Sequence, residues 1–504
     1  MRQVLVSSAV PVGIAAKPVT IVATIHSHPG PLEIFGSLPE STRRYLPALL
    51  RAALASCQFS LPSQMLTLTL DSPPGADTQS LTLPLALAIL AATEQLPSQK
   101  LEQRLFCGDL DVSGHLLSFR GTLACSEVAS SNHLQELLLP SACAPELELL
   151  RLSNLPAGDT QPTLRTRFFE NLPQVVHHLL NGGDCDVPFS APPTEPGVSG
   201  PDLSLIHGQE AAKRALTIAA AGAHSLLLVG PPGASKTLLA RSLPTILPPL
   251  DPRAAAILTK VYSYVSAEPS SVLHRPFRAP HTGSSEKAFF GGGSNPRPGE
   301  VSLAHEGILF LDDLLDFRSS LTRSILHAQT RGSVPFRYGD FSTYMPADFQ
   351  LVAATTPCHC GHYRDPRRQC TCSPLYFDAF QSRLNRHLDM FHLLIRVNPP
   401  SARDLSAPPG ETSQAVASRV AAARAIQHER GRLNAHLQPE ELELHCRLAA
   451  EGHEMRDRAY TQLGLTPKTL HHVLRVARTI ADLELSPLIR SYHLAEALQY
   501  RSLS

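Results

Sequence analysis

Apolar positions divide the chain into stretches of different character. Over the first 183 residues, short alternating runs are interleaved with apolar helical ones. The opening, MRQVLVSSAVPVGIAAKPVT, alternates and breaks on prolines, and Val19 to Ile25 continues the alternation, so strands are predicted there. Leu46 to Ala55 predicts a helix with one apolar face, Met65 to Leu70 a half-buried strand, and Leu83 to Ala92 an apolar helix. Phe106 to Asp111 runs through a turn to His115–Leu117. This is an α+β pattern. It shows no metal-ligand spacing and no nucleophile–base pair, so a binding or scaffold role is expected of it. Residues 184–203 are rich in Pro, Gly and Ser and predict a linker.

Over residues 204–400 the apolar runs become short and continuous, as in parallel strands buried on both faces. These runs are Leu226–Val229, Gly307–Leu311 and Phe349–Thr356, and a helix is predicted over Ala211–Ala221. Residues 401–504 carry helical spacing at Ser413–Gly431, Pro439–Gly452, Pro467–Leu483 and His493–Tyr500, with Thr466 and Pro467 as a helix cap and first residue. Helices placed after an α/β core suggest a lid closing over a ligand. The predicted fold class is multidomain α/β.

Composition narrows the function without naming it. A chain of 504 residues with 43% apolar content has room for about three domains. The 44 basic residues balance 44 acidic ones, so any nucleic-acid site must be local. The longest apolar stretch, Leu81 to Thr93, is too short to span a bilayer and contains a proline, so no membrane partner is expected. Lys17 and the strand pattern after it argue against a signal peptide. The ten cysteines form one tight cluster and six scattered positions, which fits a reducing cytoplasm.

The chemistry concentrates at Gly230-Pro231-Pro232-Gly233-Ala234-Ser235-Lys236-Thr237, between an apolar strand and a helical run. Strand, glycine-containing loop, Lys-Thr and helix is the context of a phosphate loop: backbone N–H groups face an anion, Lys236 supplies charge, and the Thr237 hydroxyl can ligate Mg²⁺. Ser235 stands where the pattern has its last glycine. A chance Gly-Pro turn is the bland alternative. Downstream, Ile308–Leu311 ends in Asp312 and Asp313. Asp312 reads as a Mg²⁺ ligand and Asp313 as the group that orients water, one methylene shorter than the usual Glu. Cys358-His359-Cys360, nine residues, then Cys370-Thr371-Cys372 can place four thiolates around one Zn²⁺. Arg364, Arg367 and Arg368 between them are expected to lower the thiol pKa values. His359 and His362 remain alternative ligands, and four free thiols the bland reading.

Together the stretches GQEAAKRALTIAAAGAHSLLLVGPPG (208–233), RPFRAPHT (275–282), FGGG (290–293), GILFLDDL (307–314), LVAATTPCHCG (351–361) and VARTIADLE (476–484) resemble the magnesium-chelatase-like AAA+ proteins of the ComM/YifB type, along essentially the whole chain. The resemblance implies a Lon-protease-like N-terminal domain without protease chemistry (1–183), the linker (184–203), an AAA+ core (204–400) and a chelatase-type helical lid (401–504). It implies ATP and Mg²⁺ as cofactors, a hexameric ring of identical chains, and DNA as partner, since ComM-type proteins are linked to branch migration during natural transformation. Gly208 and Gln209 join the nucleotide-binding set. Thr356 occupies the sensor-1 position, usually Asn; Lys468 the sensor-2 position, usually Arg; and Arg386 that of the arginine finger. Pro280-His281-Thr282 lacks one histidine of the usual PHHT. Lys236, Thr237 and Asp312 are kept, while Ser235, Asp313, Thr356 and Lys468 each replace a residue that tunes hydrolysis.

Three readings follow. In the first, an ATPase ring remodels DNA, with Arg275 and Arg278 meeting phosphates in its pore. In the second, the chain binds ATP, barely hydrolyses it and acts as a scaffold. The third, a metal-insertion motor, ranks last, because no DxSxS motif is found. For Arg275 and Arg278, an exposed loop with incidental arginines is the alternative.

Overall fold

The computed structural model describes residues 2–38, 40–73, 78–147, 164–183, 200–265, 272–293, 297–338 and 341–501. The expected linker lies largely outside these residues.

In the N-terminal unit β1 (Arg2–Val12) and β2 (Ala15–Pro29) form a long hairpin. The sheet continues through β4 (Gln64–Leu70) to β3 (Leu32–Phe35), in the order β1-β2-β4-β3. Helices α1 (Glu40–Ser56) and α2 (Thr82–Ala92) pack on it. Every residue of α2 is buried, which explains its uninterrupted apolar sequence. A second, parallel sheet joins β5 (Arg104–Phe106), β8 (Glu136–Pro140) and β9 (Arg165–Phe169), with α3 (Thr122–Ser131) beside it. A short β6–β7 ladder (Asp109–Leu110, Leu116–Leu117) and α4 (Leu172–Asn181) complete the unit.

The central unit is a five-stranded parallel sheet in the order β11-β12-β15-β10-β16. Its strands are β10 (Leu226–Val229), β11 (Phe277–Arg278), β12 (Ile308–Leu311), β15 (Gln350–Thr355) and β16 (Leu393–Arg396). Successive side chains enter different cores. Leu226, Leu228, Ile308, Phe310, Val352 and Ala354 join α5 (Glu210–Gly222) and the C-terminal helices. Leu227, Val229, Leu309, Leu311, Leu351 and Ala353 join α8 (Ser319–Arg331) and the hairpin β13–β14 (Ser333–Tyr338, Phe341–Pro346). Burial on both faces is why these strands do not alternate in sequence. Between β10 and β11 lie α6 (Lys236–Ser242) and α7 (Pro252–Ser263). Helix α9 (Pro374–Leu388) leads into β16.

The C-terminal helices α10 (Ser413–Glu429), α11 (Pro467–Leu483) and α12 (Ser491–Gln499) do not cover the phosphate loop of their own chain. They pack against α5 and the N-terminal ends of the strands. Gln427 Nε2 donates to Ala221 O at 3.1 Å, Arg424 Nε to Ala220 O at 2.8 Å, and Leu394 N to Tyr500 O at 2.9 Å. The expected lid over the nucleotide is thus corrected: the apolar faces of α10 and α11 are spent on α5. The helix expected over Pro439–Gly452 is also two helices, Pro439–His445 and Ala450–Gln462, parted where Leu448 bridges Ile489. The stretch VARTIADLE proves to be a clasp. Arg478 Nε donates to Asp482 Oδ1 at 3.1 Å and its Nη1 to Pro487 O at 3.0 Å, while Asn434 Nδ2 reaches Asp482 Oδ2 at 2.8 Å.

Candidate nucleotide site and four-cysteine cluster

The phosphate loop leaves the C-terminal end of β10, between β15 and the edge strand β16. Gly230 N donates to Thr355 O at 3.1 Å, and a Cβ on Gly230 would lie 2.1 Å from Val397 O, so two strand ends squeeze this position. The loop then folds around its lysine. Lys236 Nζ donates to Gly230 O at 2.7 Å and to Pro231 O at 3.0 Å. Burial pushes the Lys236 ammonium pKa down, opposed by the charges of Asp313 and Asp312. Ser235 has φ +63°, a left-handed conformation that explains the usual glycine. A serine here stores roughly 1 kcal/mol of backbone strain.

The carboxylates arrive from β12. Thr237 Oγ1 donates to Asp312 Oδ2 at 3.0 Å, so the hydroxyl and carboxylate expected to hold Mg²⁺ already face each other. Asp313 is exposed and also left-handed, with φ 52°. Burial of part of its carboxyl and the charges of Asp312 and Asp316 raise its pKa, while Lys236 lowers it. Gly208 and Gln209 reach the same edge: the Gln209 side-chain amide donates to Asn398 O, just beyond β16. Loop, lysine, hydroxyl and carboxylates suit a Mg-bound polyphosphate, since fixed donors and one cation face a site with two acidic groups at its rim.

Of the other expected residues, Thr356 adjoins the loop, next to the Thr355 carbonyl that accepts from Gly230 N, and Lys468 does not. The Thr356 hydroxyl donates to Cys358 O at 3.1 Å and is directed into the cysteine-rich loop. Arg386 is exposed near the end of α9, with Nε on Ser382 O of its own helix. Lys468 lines a cavity of about 850 Å³ together with Gly307, Gln350 and His392, which mark the N-terminal ends of the strands. Lys468 therefore lies toward the N-terminal ends of the strands, opposite the phosphate loop, while Arg386 sits one turn beyond Arg383, whose Nη2 donates to Leu315 O at 2.6 Å. Arg275 and Arg278 are not free to meet phosphates, which corrects the pore reading. Arg275 donates to Pro248 O at 2.8 Å and pairs with Glu306 Oε2 at 3.1 Å. Arg278 grips Glu300 through two bonds of 2.7 and 2.8 Å, which raise its pKa.

The four cysteines do converge. Their Sγ atoms lie within 4.8 Å of one another, with Cys358–Cys360 at 3.5 Å, Cys358–Cys370 at 3.7 Å and Cys360–Cys370 at 3.6 Å. Four thiolates at the Zn–S distance of about 2.3 Å would stand about 3.8 Å apart. Backbone amides of Cys360 and Tyr363 donate to Cys372 Sγ and Cys358 Sγ, both at 3.3 Å. The two histidines are turned elsewhere: His362 Nδ1 meets Asp365 Oδ2 at 2.9 Å and His359 stacks on Tyr376. Burial opposes ionisation of Cys360, but the amides of His362 and Thr371 and the neighbouring thiols bring it down to about 5. Burial and the bond shared with Cys360 push Cys358 up to about 12. The expected influence of the arginines is thus supplied by amides instead. Arg367 goes to Asp365 and to Pro232 O of the phosphate loop, a role its sequence did not signal.

Comparison with known proteins agrees with this architecture. The profile described as Magnesium chelatase, subunit ChlI, matches residues 202–405, its C-terminal counterpart residues 410–501, and Subunit ChlI of Mg-chelatase residues 23–143. Competence protein ComM of Haemophilus influenzae is 35% identical over all of this chain and 98% of its own length. YifB of Salmonella typhimurium is 34% identical over 100% and 98%. The magnesium-chelatase 67 kDa subunit of Heliobacterium mobile is 28% identical over 31% of this chain and 28% of its own. With a parallel-sheet core bearing a phosphate loop, helices behind it and relatives spanning its full length, the chain belongs to the magnesium-chelatase-like ComM/YifB family of AAA+-type proteins.

Proposed function

We propose that this chain is a Mg-ATP-driven ring protein that remodels DNA in the manner of branch migration. The observation that carries the reading is a division of the site between two edges of one sheet. Lys236, Thr237 and Asp312 gather at one edge, while Lys468 lines the cavity at the other and Arg386 is exposed on α9. Groups so separated cannot serve one nucleotide within one chain. In a head-to-tail ring, for which six copies are expected, each copy offers them to its neighbour.

Mg-ATP, when bound, supplies the phosphoanhydride that is cleaved and the divalent charge that offsets the leaving group. The chain's own residues do the rest. The loop amides and Lys236 orient the phosphates; Thr237 and Asp312 hold the cation; Asp313 positions water; Arg386 and Lys468 of the adjoining copy balance negative charge. The N-terminal unit is read as a Lon-protease-like scaffold. DNA as partner rests on the resemblance to ComM-type proteins, with Arg275 and Arg278 no longer among its contacts.

A second reading, an ATP-binding scaffold with little hydrolysis, is favoured by two features: the Thr356 hydroxyl is engaged by Cys358 O, and Asp313 has a short arm. Steady-state ATP hydrolysis with and without single-stranded and forked DNA, beside Lys236→Ala, separates the two. DNA-stimulated turnover lost in the variant supports the motor. Lys236-dependent binding without turnover refutes it and favours the scaffold.

A further inference from the structure

The four-cysteine loop is built into the nucleotide site rather than appended to it. Gly361, at φ +83°, packs on the phosphate loop so closely that a Cβ there would lie 2.9 Å from Pro232 Cδ. Arg367 spans the same gap, with Nη2 on Pro232 O at 3.4 Å and Nε on Asp365 Oδ1 at 3.3 Å. Before the first cysteine, the Thr356 hydroxyl is held by Cys358 O. After the last, Ser373 caps α9, the helix that carries Arg386, and Gln381 of that helix donates to Pro357 O at 2.8 Å. No helix or strand is formed between Thr356 and Ser373. The surface against which the phosphate loop leans is therefore irregular chain, drawn together at four sulfur atoms.

We propose that one Zn²⁺ held by Cys358, Cys360, Cys370 and Cys372 braces the phosphate loop through Gly361 and Arg367, so that metal occupancy sets nucleotide affinity. The proposal rests on the nucleotide reading of that loop. Loops closed by a structural zinc owe their order to the ion. A phosphate loop supported on its outer side presents amides that are already aimed. Without the support, the ligand must order the loop as it binds, and affinity falls by that cost. Gly361 and Arg367 are positioning residues: both act through Pro232.

The test uses the full chain. Metal content is measured by elemental analysis, and Co²⁺ is substituted to read the absorption of tetrahedral thiolate coordination. Affinity for a fluorescent ATP analogue is then compared, with excess Mg²⁺, among the loaded chain, the chelator-stripped chain, the stripped chain resupplied with Zn²⁺, and the Arg367→Ala variant. The expected results are one metal per chain, a tetrahedral thiolate spectrum, and affinity about tenfold weaker on stripping and restored by Zn²⁺. Arg367→Ala should keep its metal and bind about fivefold more weakly. That variant leaves all four thiols in place, so it carries the test if the stripped chain precipitates. Absence of bound metal, equal affinities of loaded and stripped chains, or wild-type affinity in Arg367→Ala overturns the proposal. Equal affinities combined with Lys236-dependent binding overturn the brace alone and leave the nucleotide reading standing. A loaded chain that binds no nucleotide overturns both.

Discussion

Lengthening Asp313 by one methylene is the most direct probe of catalysis. Asp313 follows the last buried residues of β12, and its backbone is fixed in a left-handed conformation with φ 52° and ψ 59°. Asp316 N donates to its carbonyl at 2.8 Å, so the main chain cannot swing the carboxyl outward to make up for a short arm. Asp313→Glu moves the carboxyl about 1.3 Å further from the backbone, and an error of about 1 Å in a positioning group costs roughly 10²-fold. A hundredfold change equals about 2.7 kcal/mol of barrier. The expected gain in kcat is at least about tenfold and at most about a hundredfold. Glutamate tolerates the left-handed conformation less well than aspartate, at a cost of about 0.5 kcal/mol of stability that is common to ground and transition states and leaves the barrier unchanged. Steady-state hydrolysis measured beside nucleotide affinity separates chemistry from binding. A kcat within twofold of wild type, at unchanged affinity, would refute the placement of Asp313 as the water-positioning group. The same geometry sets the acid limb of the wild type. Partial burial and Asp312 hold the Asp313 carboxyl above its ordinary range, so turnover should begin to fall at a higher pH than a free aspartate would give.

Gly230→Ala should cost about 3 kcal/mol or prevent folding, because its Cβ meets Val397 O at 2.1 Å, whereas Gly233→Ala meets nothing within 4 Å among the described residues and should cost only its left-handed backbone, about 1 kcal/mol; urea midpoints distinguish them. The rings of His224, His392 and His472, tilted against one another, lie 5.1 and 4.5 Å apart at the seam between core and C-terminal helices. Burial holds all three neutral, His472 down to about 3, so the unfolded chain binds protons first and stability should fall as pH drops from 6.5 toward 3. Chemical unfolding followed across that range checks it, and a flat profile would refute it. Glu146 is the opposite case: burial raises it to about 8 against the bond it shares with Thr122, and its Oε2 has no hydrogen-bond partner among the described residues. The unfolded chain releases that proton near 4.5, so stability should decline between 4.5 and 8, and Glu146→Gln should be the more stable protein at pH 8 by up to about 4 kcal/mol.

Local signals located much of this molecule. Leu226–Val229, Ile308–Leu311 and Gln350–Thr355 are strands because continuous apolar runs of that length are buried on both faces, and the phosphate loop is legible because glycine, lysine and threonine follow the first of them. Two strands of the same sheet escaped notice: β11 has two residues, too few for any periodicity, and β16 is four residues ending in an arginine. The cysteine spacing announced a four-thiol cluster, but not which way His359 and His362 would turn.

What the chain's own order of residues determined was the family, the Gly-Pro loop ahead of Lys236 and Thr237, the acidic strand end at Asp312 and Asp313, and the four cysteines. Each of these is a short stretch whose chemistry depends on neighbours a few residues away. Folding alone decided the pairings that span tens to hundreds of residues. It sent Arg275 and Arg278 to Glu306 and Glu300 instead of to open solvent. It set α10 and α11 against α5, 191 residues or more away in sequence, so the C-terminal helices stand behind the sheet and Lys468 far from the loop of its own chain. It also laid the cysteine loop on Pro232. An arginine's sequence neighbourhood records its charge but not the carboxylate that will reach it, and an apolar helix face records that it must be covered but not by what.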